Sequence, residues 1–185
     1  MPGPMSIVRS AILRPSLLGT HPLQIHALSC RYEWHDVAQA TAMPCLSRDI
    51  TAPSTVAALR GVDLFHYSRL LSLARRRKDT FREHLDSPAQ FQGSDPNYTC
   101  GRCLGRVGDL TWKVLRMRLV EELGKYPDGS SIRGDGLRLW PEWVASMTAS
   151  HCNKLLFNAE GTRTALIRVL DSLPENLLLE YASGE

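Results

Sequence analysis

The fold class follows from one stretch, residues 63–88, which reads DLFHYSRLLSLARRRKDTFREHLDSP. Its apolar side chains recur at helical spacing and form the stripe of an amphipathic helix: Leu64, Tyr67, Leu71, Ala74, Phe81 and Leu85. Asp63 suits the amino-terminal cap of such a helix, and Ser87-Pro88 suits its end. The stretch therefore predicts one long helix from Leu64 to Leu85.

The same periodicity recurs on both sides of this stretch. It predicts further helices over Pro22–Trp34, Val37–Pro44, Ser54–Leu59, Asp109–Leu123, Pro141–Cys152 and Glu160–Leu173. Runs in which apolar and polar residues alternate, as a half-buried strand requires, are nearly absent. We therefore expect an all-α protein of six to seven helices in two packed layers, pinned by a structural zinc site if the cysteines discussed below bind metal.

Composition excludes several classes of protein. The chain has 185 residues, of which 43% are hydrophobic and 22% are charged. These fractions are close to the globular average and exclude a wholly disordered chain, a collagen-like fibre and a coiled-coil rod. No run of 18 apolar residues is present, so we expect no membrane-spanning segment and no membrane partner. The net charge of +3 is too small to indicate nucleic-acid binding.

The distribution of proline, glycine and charge predicts the domain organisation. A loop rich in Pro, Gly, Ser and Asp separates two groups of predicted helices. We expect a flexible tail over residues 1–20, a helical subdomain over 21–87, a linker over 88–99, a cysteine-containing helical subdomain over 100–175 and a second tail over 176–185. The first 32 residues contain three arginines and no acidic residue, which leaves a mitochondrial presequence as a minor alternative.

The strongest chemical motif is the turn Cys100-Gly101-Arg102-Cys103. Two cysteines at this spacing can direct both sulfurs to one metal ion, and Gly101 permits the positive φ that such turns use. A structural zinc ion requires four ligands, so two more must come from elsewhere. Cys152 is the natural third ligand, and His151 is a candidate for the fourth, with His84 or a residue that the sequence does not identify as alternatives.

Other fates for the thiols stay open. Cys100 and Cys103 can form a redox pair, although that motif is typical of a strand–helix setting, or they can be ordinary cysteines. Cys30 and Cys45 lie on apolar helical faces and are predicted to be packing residues. An odd number of cysteines, five, argues against a disulfide framework and favours a reducing compartment, the cytoplasm or nucleus.

A basic run, Arg75-Arg76-Arg77-Lys78 with Arg82, lies on the long predicted helix. It can contact phosphate or serve as a nuclear-import signal. We favour a solvated helix face instead, because Asp79 and Glu83 offset the charge and no aromatic residues are interleaved for base stacking. A zinc-stabilised nucleic-acid or chromatin-associated module using this basic patch remains the alternative function.

Catalytic motifs are absent from the sequence. There is no phosphate-binding glycine loop, no GxSxG elbow and no HExxH helix, and the six histidines are scattered. No nucleophile has a base predicted beside it. We therefore expect a protein that is not an enzyme.

Residues 21–34, which read HPLQIHALSCRYEW, are followed by Asp36-Val37-Ala38. This segment resembles the helical region that follows the BTB/POZ domain in large fungal, mushroom-type protein families. The resemblance covers residues 21–175. Beyond the first segment it includes four features in the same order: Leu64 to Leu85, Asp86-Ser87-Pro88, Tyr98-x-Cys100-x-x-Cys103 with the tryptophans, and the closing Leu173-Pro174.

The resemblance implies a function in protein recognition. BTB-type proteins act as adaptors in ubiquitin-ligase or transcriptional assemblies, and their helical tail presents a partner-binding surface. This chain departs from the family in two respects: no counterpart of the BTB/POZ fold is expected before His21, and His151-Cys152 stands where the family tends to carry a second cysteine pair. We therefore expect a protein–protein interaction module that corresponds only to the tail of such an adaptor, with an unidentified protein partner.

Overall fold

The computed structural model of the chain describes residues 4–60, 62–91, 99–100, 102–104, 110–152 and 154–177. These residues form ten α-helices, one short 3₁₀ helix and one two-stranded hairpin. The all-α prediction is confirmed, with more helices than the six or seven expected. Within the described ranges, every helix is either too short or too polar to cross a bilayer.

The elements have the following bounds. The helices are α1 (Pro4–Ile12), α2 (Pro15–Thr20), α3 (Pro22–Arg31), α4 (His35–Cys45), α5 (Pro53–Ala58), α6 (Leu64–Asp86), α7 (Leu110–Lys125), α8 (Ser130–Arg133), α9 (Pro141–Thr148) and α10 (Ala159–Ser172). The 3₁₀ helix is Asp135–Leu139, between α8 and α9. The strands are β1 (Ser150–His151) and β2 (Lys154–Leu155).

The amino-terminal region differs from the flexible tail expected over residues 1–20. Helices α1 and α2 occupy most of it, and each begins at a proline. Proline is well suited to a first helical turn, because the N–H that it lacks would have no partner there. Arg9 of α1 forms an ion pair with Asp36 of α4 at 2.6 Å, which ties α1 to the helices that follow.

The chain divides into two compact units. Unit 1 comprises Met1–Arg76, Lys125–Asp128 and Pro174–Glu185. Burial of apolar surface from α3, α4 and α6 stabilises it. Its core contains Leu23, Ala42, Cys45, Leu46, Ile50, Leu59, Leu70, Leu73 and Leu177. Leu177 lies where a carboxy-terminal tail was expected, and its backbone N–H donates to Gln39 Oε1 at 2.9 Å.

Unit 2 comprises Arg77–Gly124 and Gly129–Leu173. Its core is built around Trp112, which is 1% exposed and contacts two other aromatic rings. Phe91 stacks on Trp112 with ring centroids 5.1 Å apart, and Phe157 packs on it at 5.7 Å. The other fully buried members include Phe81, Leu85, Leu115, Leu119, Leu123, Ile132, Leu137, Leu166 and Leu170.

The boundary between the units lies within α6, between Arg76 and Arg77, and not in the linker expected over residues 88–99. The physical reason is that apolar residues of α6 serve two cores, with Leu70 and Leu73 in one and Phe81 and Leu85 in the other. Leu64 of the predicted stripe is 81% exposed and belongs to neither core. Phe91, placed in that linker, is buried in the core of unit 2. Residues 92–98 of the predicted linker lie outside the described residues, as does the predicted helix cap Asp109.

Candidate metal centre

The first half of the centre is the cysteine turn. The N–H of Leu104 donates to the carbonyl oxygen of Cys100 at 2.8 Å and closes the turn. The backbone N–H groups of Cys103 and then Arg102 donate to the Cys100 sulfur, and they lower the pKa of this thiol to about 7. Backbone donors directed at a sulfur stabilise its thiolate, which is the form that binds metal. Gly101, to which the sequence assigned a positive φ, lies outside the described residues.

The second half is the hairpin formed by β1 and β2. The strands pair antiparallel, with Ser150 opposite Leu155 and His151 opposite Lys154, so that only two residues form the connection. Cys152, the first of them, has a positive φ of 53°. A left-handed backbone is costly for a residue with a Cβ and is typical of constrained functional positions.

The left-handed backbone of Cys152 explains how adjacent residues can serve one site. In an extended strand, successive side chains point to opposite faces. The turn at the hairpin tip breaks this alternation immediately after His151. As a result, the imidazole of His151 and the thiol of Cys152 lie in one cluster.

The turn and the hairpin converge on four ligand atoms. One potential ligand atom from each of Cys100, Cys103, His151 and Cys152 lies within 4.8 Å of all the others. Cys103 Sγ and His151 Nε2 are 3.1 Å apart. Tetrahedral zinc with Zn–S bonds of about 2.3 Å holds its sulfurs about 3.8 Å apart, so the cluster needs to contract by at most about 1 Å. The structure thus brings together all four residues that the sequence analysis singled out.

The cluster favours a cation at its centre. Hydrogen bonds with the sulfurs of Cys103 and then Cys100 favour the protonated form of Cys152 and raise its pKa to about 11, and repulsion between the negative sulfurs acts in the same direction. A divalent cation bound to the sulfurs removes this repulsion and stabilises all three thiolates together. Four protein ligands leave no open position on a tetrahedral ion, which is the arrangement of a structural site.

Other candidate residues lie elsewhere. His84 Nδ1 is 3.0 Å from Gln90 Oε1, and His84 is not a member of the cluster. Cys30 and Cys45 are buried, and desolvation raises the pKa of the first to about 11 and of the second to about 12. Such thiols are unreactive packing residues.

The basic run is not a continuous charged surface. Arg77 is 1% exposed, and its guanidinium donates to the carbonyl oxygen of Leu173 at 3.4 Å. Arg76 Nη2 donates to the carbonyl oxygen of Asn176 at 2.6 Å. Arg75 and Arg82 are exposed and Lys78 is half-buried, so the five basic residues share no single face.

A second apolar stripe on α7 was missed in the sequence. Trp112, Leu115, Leu119 and Leu123 form the buried stripe. Leu110, Val114 and Met117 form another at i, i+4 and i+7, and they are 73%, 45% and 69% exposed. The spacing of these three residues was the available signal, since it repeats the helical period on a separate face. We call these three residues the α7 stripe.

Comparison with known proteins gives no match to a family model, to a curated protein or to a solved structure. The similarity to the region that follows BTB/POZ domains therefore stays a prediction from the sequence. The chemistry of the cluster and the exposed surface of the described residues have to carry the functional argument.

Proposed function

We propose that this chain is a non-enzymatic, zinc-stabilised α-helical module that binds other proteins. The observation that carries the proposal is the convergence of Cys100, Cys103, His151 and Cys152 on a volume that one metal ion would fill. The resemblance to the helical tail of BTB/POZ adaptors supports the same role. From the odd number of cysteines we infer a location in the cytoplasm or nucleus, and from the resemblance a fungal origin.

The ligand set favours zinc over other common metals. Thiolates are soft ligands that select zinc, copper(I) or iron–sulfur clusters, whereas magnesium and calcium prefer oxygen. Three thiolates with one imidazole form a common tetrahedral structural zinc set. The two charges of the ion would leave one negative charge on the complex, and the Arg102 guanidinium, which contacts Cys152, would partly offset it.

The metal would act as a clamp within unit 2. The turn and the hairpin are separated by about fifty residues of sequence, and closing such a loop costs conformational entropy. Binding that occurs only in the folded state shifts the folding equilibrium by several kcal/mol at ordinary zinc concentrations. The clamp therefore stabilises the fold and performs no chemistry on a substrate.

The α7 stripe is the surface that we assign to the protein partner. Large apolar side chains exposed along one helix face are typical of helix-mediated recognition. The stripe fits a partner helix that offers apolar side chains of its own.

Elemental analysis tests the metal half of the proposal. Protein purified without a histidine tag should carry one zinc ion per chain, and Cys103→Ser should lose it. Cys30→Ala is the matched control, since it removes a buried thiol outside the cluster and should retain the zinc. Wild-type protein that is metal-free and equally stable with or without added zinc would refute the site.

Direct binding measurements test the other part of the proposal, that the α7 stripe binds a protein partner. A partner protein is captured on the wild-type chain and purified. Its affinity is then measured for the wild type and for the variants Met117→Asp and Val114→Asp. Both substitutions should abolish binding, because each places a charge in the apolar contact. The control Leu64→Asp replaces a leucine that is 81% exposed on α6, and it should bind like the wild type. Equal binding by all four proteins would reject the α7 stripe as the docking surface.

A further inference from the structure

We propose that Cys103 is a site of oxidative modification by hydroperoxides, and that its oxidation to a disulfide with Cys152 releases the bound metal. The inference deepens the proposed function by assigning a regulation to the same cluster, and its metal-release step rests on that function. The formation of the disulfide rests on the positions of the thiols alone.

Exposure selects Cys103 as the first thiol to react. Its side chain is exposed, whereas Cys100 and Cys152 are half-buried and Cys30 and Cys45 are buried. A hydroperoxide in solvent therefore reaches Cys103 before the others.

Geometry selects Cys152 as the partner sulfur. Both Cys100 and Cys152 lie within 4.8 Å of Cys103, so a disulfide of about 2.05 Å requires only a small approach of either. The Cys100 sulfur accepts backbone N–H groups from Cys103 and Arg102, and a Cys100–Cys103 bond would disrupt these contacts within one tight turn. Cys152 lies at the tip of a separate hairpin, so a bond to it leaves the backbone contacts of the cysteine turn in place.

The chemistry requires only the hydroperoxide as oxidant. The Cys103 thiolate attacks the terminal peroxide oxygen, the O–O bond breaks, and the product alkoxide takes a proton to become an alcohol, or water from hydrogen peroxide. The Cys152 thiol then gives up its proton as its sulfur attacks the sulfenic sulfur of Cys103. The S–S bond forms, the S–O bond breaks, and hydroxide leaves as water after taking a proton. Two thiols are oxidised by two electrons, and one peroxide is reduced.

Oxidation changes the metal site without separating the turn from the hairpin. Cys100 and His151 would remain as ligands, and two ligands do not hold zinc in a four-coordinate structural site. The new disulfide joins the same two segments that the metal joined. A thiol reductant reverses the bond, so the module can exchange a metal clamp for a covalent one.

Peptide mapping tests the proposal on the full-length wild-type chain. The zinc content is measured first, and the protein is then treated with hydrogen peroxide while a chromophoric chelator reports free zinc. Free thiols are alkylated before digestion and mass spectrometry. We expect one Cys103–Cys152 disulfide for each zinc released, with Cys30 and Cys45 fully alkylated as internal controls.

A matched pair of variants tests the choice of partner sulfur. Cys100→His and Cys152→His each keep four ligands, but only Cys100→His keeps both reacting thiols. Cys100→His should release zinc with a disulfide as the wild type does, and Cys152→His should release it several-fold more slowly. If a variant binds no zinc, peptide mapping of the wild type decides the question.

Each remaining outcome is decisive. A Cys100–Cys103 disulfide, or zinc release without any disulfide, would overturn the assignment. Oxidation of Cys30 or Cys45 at the same rate would indicate general unfolding and would also overturn it. If the protein as purified holds no zinc, the proposed metal function fails on its own; the peroxide reaction of the metal-free chain then supports or rejects the disulfide independently.

Discussion

Arg102 donates a hydrogen bond from Nη1 to the carbonyl oxygen of Cys152 at 3.3 Å. The contact joins the cysteine turn to the hairpin through a group that is not a ligand. Because the guanidinium is positive and the zinc-bound cluster would be negative, Arg102 both positions the hairpin and offsets its charge.

Replacing Arg102 should therefore weaken metal binding without abolishing it. For Arg102→Gln we expect an affinity for zinc about tenfold lower, since outer contacts of metal ligands are worth about 10–100-fold and this side chain is exposed. Competition with a chromophoric chelator measures the change. Arg138→Gln, which removes an arginine paired with Glu160 in the same unit, should leave the affinity unaltered. Equal affinities for the two variants would count against the positioning role.

Metal removal should lower the stability of the folded chain. At a free zinc concentration a thousand times the dissociation constant, binding contributes about 4 kcal/mol to the free energy of unfolding. Thermal unfolding followed by circular dichroism should therefore shift to lower temperature in a strong chelator. Added Zn²⁺ should restore the transition, and added Mg²⁺ should not. An unfolding temperature that is the same with and without the chelator would contradict the proposal that bound zinc stabilises the fold.

His26 should make unit 1 sensitive to acid. Its Nδ1–H donates to Thr41 Oγ1 at 2.9 Å, because the Thr41 hydroxyl already donates to the carbonyl of Val37. Burial lowers the pKa of His26 from 6.5 to about 4, and the positive charges of His66 and Arg69 act in the same direction.

Since the folded chain binds this proton more weakly than the unfolded chain, stability is complete above pH 6.5 and falls as the pH drops towards 4. The loss reaches about 3 kcal/mol. Urea unfolding between pH 7 and pH 4.5, with chelator present throughout, should show a steeper decline for the wild type than for His26→Gln. Parallel declines would show that His26 is not responsible.

Gly129 should tolerate no side chain. Its φ of +81° is in the left-handed region, and an added Cβ would lie 2.9 Å from Leu170 Cδ2 in the core of unit 2. Backbone strain and overpacking together predict that Gly129→Ala lowers the free energy of unfolding by about 2–4 kcal/mol. Gly136→Ala is the control, because nothing lies within 4 Å of an added Cβ there. Chemical denaturation measures both, and similar values for the two would refute the account.

The sequence predicted long helices well and short elements poorly. Helix α6 begins at Leu64, as its apolar stripe indicated, and ends one residue after the predicted Leu85. Helix α8 and the 3₁₀ helix fall in a segment for which no helix was predicted, because four or five residues are too few to display a period. The hairpin at Ser150–Leu155 was not predicted for the same reason, because strands of two residues each are too short to show an alternating pattern.

The candidate site was predicted by residue type but not by geometry. The spacing of Cys100 and Cys103 indicated a chelating turn, with Cys152 as the natural third ligand and His151 as one candidate for the fourth. The positive φ of Cys152, which brings the adjacent His151 and Cys152 into one cluster, could not be predicted from any sequence pattern. The burial of Arg77 could not be predicted from the sequence either, because a basic residue in a basic run is most often exposed to solvent.

Because Phe157 lies close to the hairpin and packs on Trp112, we expect the fluorescence of Trp112 to depend on whether the metal site is occupied. Phe157 follows β2 by two residues and covers the indole of Trp112. Any loosening of the hairpin admits water to this ring, so its emission should move to longer wavelength and its near-ultraviolet dichroism should fade. We therefore expect removal of the metal to change the Trp112 contribution to fluorescence and near-ultraviolet dichroism, beside the signals of Trp34, Trp140 and Trp143.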